Sequence, residues 1–338
     1  MSFKVKINNT NTIEVDTGNT ILEVALENNI DFPHGCRSGN CGACKSKLVS
    51  GDIEMSPYSE FALEDDDKDK GYILACRAVP WSDCEILVTN ENDEESNKII
   101  EFETNVKKIK QINEDIYVIK LDNHQTNDFK FYAGQYAELT FGKLPEKHFS
   151  MANSPNNKEL EFHIKTLNNG QTSDYIKNQL KINDKVKIKG PYGDAFLRTN
   201  HKGPIIAIAG GTGLAPIISI VKSAIENNMK QSLKIYYGAK TEEELYFISE
   251  FKNIIKKYKN IEFHTVVNET QKTFNTRIGN VTDAVIEDIE DFDGYKAYLA
   301  GPPKMVEAAE DLLLSLSIRK IDIHSDAFYT PYETAKDK

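Results

Sequence analysis

Uninterrupted apolar segments are scarce in this sequence, and only 5 of its 338 residues are cysteine. The first residues, MSFKVKINNT, contain no apolar segment of the signal-peptide kind, so we expect a cytoplasmic rather than a secreted chain. One uncharged run, 204–221, reaches the length of a membrane-spanning helix. Gly210, Gly211, Gly213 and Pro216 interrupt that run, which favours a turn between a buried strand and a helix. We therefore expect no membrane association.

Basic residues are also scarce in the first part of the chain. Residues 1–95 hold 8 Lys and Arg against 19 Asp and Glu, whereas residues 96–338 hold 33 of each sign, so the net charge of −11 lies entirely in the first part. An acidic surface repels nucleic-acid phosphates, so we expect no nucleic-acid partner. The same surface suits docking to a basic patch on a protein. Acidity that only aids solubility is the alternative.

Three hydrophobic patterns follow one another along the chain. A hairpin pattern and a short amphipathic helix come first, and closely spaced strands with few helices then indicate an antiparallel barrel. From residue 203 onward apolar strands alternate with helices, one of them predicted over 243–258, which indicates a mostly parallel, doubly wound sheet. The predicted division is a first domain at 1–90, a polar linker at 91–98, a barrel at 99–199, an α/β domain at 200–330 and a tail at 331–338.

Four of the cysteines form a cluster in the sequence. Cys36, Cys41 and Cys44 are spaced by four and two residues, and 31 residues separate Cys44 from Cys76. Thiolates bind iron–sulfur clusters or zinc, but structural zinc usually uses two tight cysteine pairs and only one is present. The four-and-two spacing is that of plant-type [2Fe–2S] ferredoxins. Cys84 lies in a strand-like segment, where we expect a small buried side chain.

The residues around these cysteines carry a family resemblance. HGCRSGNCGACKSKLVSG, followed by YILACRA, resembles the ferredoxin domain in the reductase components of ring-hydroxylating oxygenases. The resemblance covers residues 1 to about 330. It implies a multidomain α+β and α/β chain with a β-grasp ferredoxin domain, an antiparallel six-stranded flavin-binding β-barrel and a doubly wound parallel α/β nucleotide-binding domain.

The segment KHFSMANSP (147–155) resembles the Arg-x-Tyr-Ser-x-x-Ser/Asn flavin motif of the ferredoxin–NAD(P)+ reductase superfamily. The resemblance assigns the flavin pyrophosphate to Lys147 and the face of the flavin ring to Phe149. It makes Ser150 the catalytic residue, with a hydrogen bond near flavin N5. Lys147 keeps the charge of the usual arginine but lacks its bidentate fork, and Phe149 lacks the hydroxyl of the usual tyrosine.

A second flavin segment, GQTSDYI (170–176), is similar to the family's Gly-x-x-Ser/Thr turn, which caps a helix on the flavin phosphate. That similarity assigns phosphate contacts to Gly170 and Ser173. His163 and Lys165 belong to the strand that lines the flavin in relatives. Because the ferredoxin domain precedes the flavin domain, the resemblance favours FAD over FMN.

Two glycine-containing segments point to a nicotinamide dinucleotide. Strand-like PIIAIA leads into GGTGLAP, where Gly211, Thr212 and Gly213 let the chain approach a pyrophosphate at a helix N-terminus. The segment YLAGPPKM (298–305) resembles the family's Cys-Gly-Pro-Pro-x-Met segment near the nicotinamide. The resemblance assigns binding to Gly301 and Pro302, with Ala300 in place of the cysteine.

The last motif, IHSDAFYT (323–330), resembles the ending of the same reductases. It places Phe328 close to the flavin ring, although packing in the core is an equally good explanation of this side chain. Glu244 follows the second strand of the α/β domain and suits a ribose 2′-hydroxyl, which favours NADH. Lys240 could instead contact a 2′-phosphate, so NADPH stays open.

The order of cofactors predicts the function. NADH delivers two electrons as a hydride and a [2Fe–2S] cluster accepts one at a time, so FAD must stand between them. The resemblance predicts an NADH-dependent reductase that supplies a terminal oxygenase, or an intermediate ferredoxin, docked on the acidic ferredoxin domain. The oxygenase would hydroxylate aromatic or similar small organic substrates. A CDP-4-keto-6-deoxyglucose reductase-type donor to a sugar dehydratase is one alternative, and a redox-sensing cluster protein without steady turnover is another.

Overall fold

A computed structural model describes residues 2–8, 11–28, 30, 32–34, 37–40, 42–60, 62–88, 97–122, 128–269 and 276–329. The chain divides into two compact units. The first consists of Met1–Lys98 with Tyr192–Asp194, and the second of Ile99–Pro191 with Ala195–Lys338.

A mixed sheet of five strands forms the core of the first unit. The elements are β1 Ser2–Ile7, β2 Asn11–Asp16, α1 Ile21–Glu27, β3 Lys45–Ser50, β4 Ile53–Met55, α2 Asp65–Asp69, β5 Tyr72–Leu74, β6 Ala78–Pro80 and β7 Cys84–Val88. The strand order is β2-β1-β7-β3-β5, with β1 and β7 parallel, and β4 pairs separately with β6. A capping box between Thr20 and Glu23 fixes the start of α1, whose apolar side packs on the sheet.

An antiparallel sheet of six strands begins the second unit. The elements are β8 Ile100–Gln111, β9 Ile116–Asp122, β10 Tyr136–Phe141, β11 Lys147–Ser150, β12 Glu159–Lys165, α3 Gln171–Asn178 and β13 Lys185–Tyr192. The order is β11-β10-β13-β8-β9-β12. A bridge between Met151 and Phe162 joins the two edge strands, so the sheet closes into a barrel. We call this part the barrel.

A parallel sheet follows the barrel. The elements are β14 Ile205–Gly210, α4 Leu214–Glu226, β15 Leu233–Ala239, α5 Ile248–Lys257, β16 Ile261–Val267, β17 Arg277–Ile278, α6 Val281–Asp288, β18 Lys296–Gly301, α7 Pro303–Ser315 and β19 Ile323–Ala327. The order is β17-β16-β15-β14-β18-β19, and all neighbouring strands are parallel. Alternate residues of β14 enter two separate cores, one with α4 and α5 and the other with α6 and α7. Both faces of the sheet are therefore covered, as parallel sheets require.

The predicted fold class is confirmed, while the domain boundaries stay predictions. The uncharged run 204–221 folds as strand and helix, and none of the helices in the described part of the chain is long and apolar enough to span a bilayer. The helix predicted over 243–258 is wrong at its start, because α5 begins only at Ile248. Phe247 has a φ of 59°, outside the helical region, and so ends the preceding turn.

Candidate functional site

Two of the four predicted cluster ligands lie side by side in the first unit. Cys44 precedes β3 and Cys76 follows β5, and both are buried. The backbone N–H of Cys76 donates to Cys44 Sγ over 3.5 Å. An N–H aimed at a ligand sulfur is what an iron–sulfur cluster needs, since such bonds stabilise its negative charge. Cys36 and Cys41 lie outside the described residues.

Cys84 occupies a different environment, as its strand-like segment predicts. It lies in β7, buried, and its thiol donates to the carbonyl oxygens of Asp52 and Ser82 over 3.4 and 3.1 Å. Burial raises the pKa of the Cys84 thiol. A protonated, hydrogen-bonded thiol is a packing residue and not a metal ligand.

In the second unit the flavin motif meets the end of the chain. The Ser150 hydroxyl, at the end of β11, donates to Asp326 Oδ2 on β19 over 3.3 Å. Two residues later the N–H of Phe328 donates to the carbonyl oxygen of Gly301 over 2.8 Å. The structure therefore brings together Ser150, Phe328 and the Gly301 loop, three separate sequence predictions. Asp326 was not predicted, although it lies two residues before Phe328, on the same side of an extended strand.

The two glycine-containing loops also meet. β14 and β18 are neighbours from which the chain runs to opposite sides of the sheet, and the loops follow their carboxyl ends. A Cβ on Gly213 would lie 2.0 Å from the carbonyl oxygen of Ala300, and one on Gly301 would lie 2.7 Å from that of Gly210. Only glycine permits this approach. The carboxyl edge at such a switch point is where dinucleotides bind in open α/β sheets.

Space for a ligand exists above the first of these loops. Gly211 has a φ of 54°, and a Cβ built on it would meet no atom within 4 Å. Thr212 follows it in a turn of 3-10 helix that leads directly into α4. The loop therefore offers backbone N–H groups next to an open volume, which fits a pyrophosphate. Pro302 is the N-cap residue of α7, in the corresponding position after β18.

The remaining barrel residues of the flavin prediction lie at exposed or half-buried positions. Lys147 is exposed at the start of β11, and Phe149 is half-buried with its ring 6.5 Å from that of Phe141. Gly170 is the N-cap residue of α3, and the Ser173 hydroxyl accepts from the N–H of Leu167 over 2.8 Å. That bond leaves the Ser173 hydroxyl proton able to donate. Their cofactor contacts stay predictions.

His163 has a more specific environment than its sequence pattern indicates. Its ring is buried in β12, with Nε2 3.2 Å from Glu161 Oε1 and Nδ1 3.1 Å from the Tyr246 hydroxyl. Phe247 stacks on it at 4.8 Å between ring centres. Burial lowers the pKa of His163, so the neutral ring donates from Nε2 to Glu161 and accepts from Tyr246 at Nδ1.

Glu161 is charged although it is only 7% exposed. Lys120 Nζ lies 2.9 Å away and Lys222 Nζ 3.6 Å away. Burial raises the pKa of the Glu161 carboxyl, but the hydrogen bond from His163 and the charge of Lys222 outweigh it and bring the pKa to about 2. The carboxylate therefore holds together groups of the barrel and of the parallel-sheet part.

Lys165 and Glu244, predicted for different cofactors, are close to each other. Lys165 Nζ lies 3.3 Å from Asp115 Oδ2 and 4.0 Å from Glu244 Oε2. Glu244 ends a turn of 3-10 helix after β15. Lys165 is therefore held between two carboxylates at the carboxyl edge of the parallel sheet, and its contact with flavin stays a prediction.

Family models match three successive segments of the chain. They are the 2Fe-2S iron-sulfur cluster binding domain over residues 5–80, the oxidoreductase FAD-binding domain over 103–196 and the oxidoreductase NAD-binding domain over 207–311. The predicted [2Fe–2S] cluster, rather than zinc, is thereby confirmed, as are FAD and a nicotinamide dinucleotide. The chain is an oxidoreductase.

Proteins of known role are similar over nearly the whole chain. The ferredoxin–NAD(P)(+) reductase component of the naphthalene 1,2-dioxygenase/salicylate 5-hydroxylase systems of Ralstonia sp is 33% identical, covering 94% of this chain and 95% of that protein. The reductase component of propane 2-monooxygenase of Gordonia sp. (strain TY-5) is 34% identical, with 94% of both chains covered. The crystal structure of the Amycolatopsis cytochrome P450 reductase GcoB has a TM-score of 0.78 at 29% identity, covering 96% of this chain and 98% of that one.

Proposed function

We propose that this chain, which belongs to the family of reductase components of oxygenase systems with ferredoxin, FAD-binding and NAD-binding domains, carries electrons from NADH to an oxygenase. The observation that carries the proposal is the meeting of Ser150, Asp326, Phe328 and the Gly301 loop at one place. A flavin motif and a nicotinamide motif that meet there allow direct hydride transfer between their ligands.

When bound, NADH would supply a hydride that carries two electrons, and the [2Fe–2S] cluster would accept one electron at a time. FAD would carry electrons between these two-electron and one-electron steps. The chain supplies position and electrostatics. The N-terminus of α4 and the open space at Gly211 would hold the dinucleotide pyrophosphate. Ser150, oriented by Asp326, would offer its hydroxyl at the reacting edge of the isoalloxazine. Cys44 and Cys76, with Cys36 and Cys41, would ligate the cluster.

Charge at the carboxyl edge of the parallel sheet favours NADH over NADPH. Glu242, Glu243 and Glu244 follow β15, and Glu269 follows β16 with its N–H donating to the carbonyl oxygen of Lys240 over 3.0 Å. Four carboxylates would repel a 2′-phosphate, whereas any of them could accept a hydrogen bond from a ribose hydroxyl. Lys240 is the nearest cation in sequence, and Lys165 is shared between Glu244 and Asp115. Two lysines do not offset these carboxylates.

The acceptor we propose is a terminal oxygenase, or a ferredoxin that serves it, with a small aromatic or similar organic substrate. Naphthalene 1,2-dioxygenase, propane 2-monooxygenase and phenol 2-monooxygenase systems include the similar reductases. The docking surface would lie on the acidic first unit, where Asp65, Asp66 and Asp69 of α2 are exposed. Transfer to the natural partner should then slow as salt rises, since long-range attraction between exposed charges is screened.

Anaerobic addition of NADH to the purified holoprotein tests the proposal directly. Bleaching of the flavin and cluster absorbance, followed by steady NADH oxidation with ferricyanide or cytochrome c, is the expected result. Negligible consumption with every acceptor would contradict the proposal and favour a redox-sensing protein. A terminal oxygenase that accepts electrons from this chain should turn over only when NADH and the reductase are both present.

A further inference from the structure

Helix α4, which begins at the glycine loop, is almost wholly apolar and buried. Four polar residues, Ser219, Lys222, Ser223 and Glu226, interrupt that character. Three of them, Ser219, Lys222 and Glu226, are at positions i, i+3 and i+7, which lie on one face of a helix. Ser219 is completely buried. We call these three residues the polar stripe. A helix that buries polar groups where aliphatic ones would pack equally well needs partners for them.

Those partners lie in the second half of the flavin segment 147–155 and at Asn156, which directly follows it. The Ser219 hydroxyl donates to the carbonyl oxygen of Asn153 over 2.6 Å. Lys222 Nζ donates to the carbonyl oxygen of Ala152 over 3.3 Å. At the far end Glu226 accepts from the Ser154 hydroxyl and from Asn156 Nδ2, the latter over 3.0 Å. Along the helix the partners are Asn153, then Ala152, then Ser154 and Asn156, so all of them lie in one segment of five residues.

The segment 152–156 is in turn fixed to the barrel. The N–H of Ala152 donates to the carbonyl oxygen of Glu161 over 2.7 Å, and the N–H of Glu161 donates to Asn153 Oδ1 over 2.8 Å. The Glu161 carboxylate also pairs with Lys222. The polar stripe is therefore bonded to a part of the barrel that cannot shift without breaking these buried bonds.

Directional bonds distinguish one arrangement of two elements from its neighbours, whereas aliphatic packing tolerates small slips. A slip of α4 along segment 152–156 would leave the Ser219 hydroxyl and the Asn153 carbonyl group without each other in a site that excludes water. A slip would matter most at the ends of α4 and of segment 152–156, because these ends adjoin the proposed binding residues. α4 directly follows Gly211–Gly213, and Ser150 lies two residues before Ala152.

We propose that the polar stripe is a positioning device, which sets the distance between the dinucleotide loop and the flavin strand for hydride transfer. The inference rests on the function proposed above. Ser219, Lys222 and Glu226 contact segment 152–156, and they would act through Gly211–Gly213 and Ser150. Small errors in the separation of reacting atoms are costly in rate, so a device of this kind has a measurable effect.

The test compares Ser219→Ala with Ser223→Ala in the holoprotein. Ser223 is a buried serine one turn further along α4, and its hydroxyl accepts a hydrogen bond from Asn227 Nδ2, in the same segment, over 3.3 Å. Ser219→Ala should slow flavin reduction by NADH about tenfold in stopped-flow experiments, with Ser223→Ala within about twofold of the wild type. NAD+ affinity and FAD content should not change. A larger primary isotope effect with 4-deuterated NADH should accompany the loss.

A second comparison uses Lys222, whose side chain is partly exposed. Lys222→Met should slow flavin reduction, and Lys222→Arg should restore most of the rate. Amide hydrogen exchange gives a readout that needs no turnover. Ser219→Ala should increase exchange in both 149–156 and 210–216, and Ser223→Ala in neither.

Two results would overturn the inference. One is wild-type reduction rates and exchange in both Ser219→Ala and Lys222→Met. The other is equal loss in Ser219→Ala and Ser223→Ala, which would mean general weakening of α4. A wild-type protein that NADH does not reduce would instead refute the proposed function, and the exchange comparison would still decide whether the polar stripe fixes the two segments.

Discussion

The Ser150 hydroxyl donates to the Asp326 carboxylate, with 3.3 Å between Oγ and Oδ2, and so joins the barrel to the last strand of the parallel sheet. The two residues are 176 positions apart in sequence. A serine that donates to a carboxylate keeps its oxygen lone pairs directed away from it. Asp326 therefore fixes which way the Ser150 oxygen faces, at the place where the flavin and nicotinamide motifs meet.

Loss of the Ser150 hydroxyl should slow the reductive half-reaction. We expect Ser150→Ala to lower kcat/KM for NADH, with ferricyanide as acceptor, by about 10–100-fold, since loss of one hydrogen bond costs about 1–3 kcal/mol and each 1.4 kcal/mol is about tenfold in rate. Asp326→Asn keeps an acceptor oxygen and should lose less. Ser325→Ala is the matched control, because the Ser325 hydroxyl donates instead to Glu310 over 2.8 Å. Full activity in Ser150→Ala, with normal FAD content, would rule out this role.

Two buried cysteines of the first unit, Cys44 and Cys84, should differ completely in their effect on the cluster. Cys44→Ser should abolish the cluster's absorbance and electron paramagnetic resonance signal and reduce iron content, because a hydroxyl is a poor ligand to iron in such clusters. Cys84→Ser should retain both. Ferricyanide reduction that persists in Cys44→Ser would show that this acceptor takes electrons from flavin directly. Loss of iron in Cys84→Ser alone would contradict the ligand assignment.

Local chemistry made the motifs predictable. The cysteine spacing, the GGTG loop and the Gly301 segment each lie within a few consecutive residues, where a backbone turn and its ligand chemistry are determined together. The alternation of strands and helices from residue 203 onward followed from hydrophobic period alone. Predicting these parts of the fold required no knowledge of tertiary contacts.

Contacts between distant segments were not predictable in the same way. Asp326 is one of many acidic residues, and only the pairing of β19 with β18 brings it to Ser150. The bond from Ser219 to Asn153 spans 66 residues, and a serine in an apolar helix carries no signal of its partner. The early start predicted for α5 fails for a similar reason, because packing of Phe247 against His163 overrides the helical pattern.

Carboxylates at the carboxyl edge of the parallel sheet should control the choice of dinucleotide. Glu269→Arg places a guanidinium where a 2′-phosphate would approach, and it should raise the ratio of kcat/KM for NADPH over NADH about tenfold or more. Glu244→Gln should raise KM for NADH several-fold. Glu290→Gln also removes one negative charge, but from the loop between α6 and β18 at the amino edge of the parallel sheet. It should change neither the NADPH-to-NADH ratio of kcat/KM nor KM for NADH. An unchanged ratio in Glu269→Arg would place the adenosine ribose elsewhere.

The Glu161 carboxylate should contribute stability that depends on pH. Its pKa falls from 4.5 to about 2 on folding, so the contribution is complete above pH 4.5 and is lost as the pH falls towards 2. Neutralising it by Glu161→Gln should therefore cost about 3 kcal/mol of unfolding free energy at pH 7, an upper value for a carboxylate that keeps some solvent contact.

Denaturant unfolding at a series of pH values measures this difference, and comparison of variants cancels the loss of the cluster in acid that all of them share. The difference in free energy of unfolding between the wild type and Glu161→Gln should decrease steadily below pH 4.5. Glu159→Gln is the control, since Glu159 lies on the same strand, 42% exposed and 3.7 Å from Lys120. An exposed pair of this kind contributes about 1 kcal/mol or less, so Glu159→Gln should stay near the wild type at every pH. If the difference in free energy of unfolding for Glu161→Gln stays constant from pH 7 downward, the packing of the Glu161 side chain, and not its charge, provides the stability.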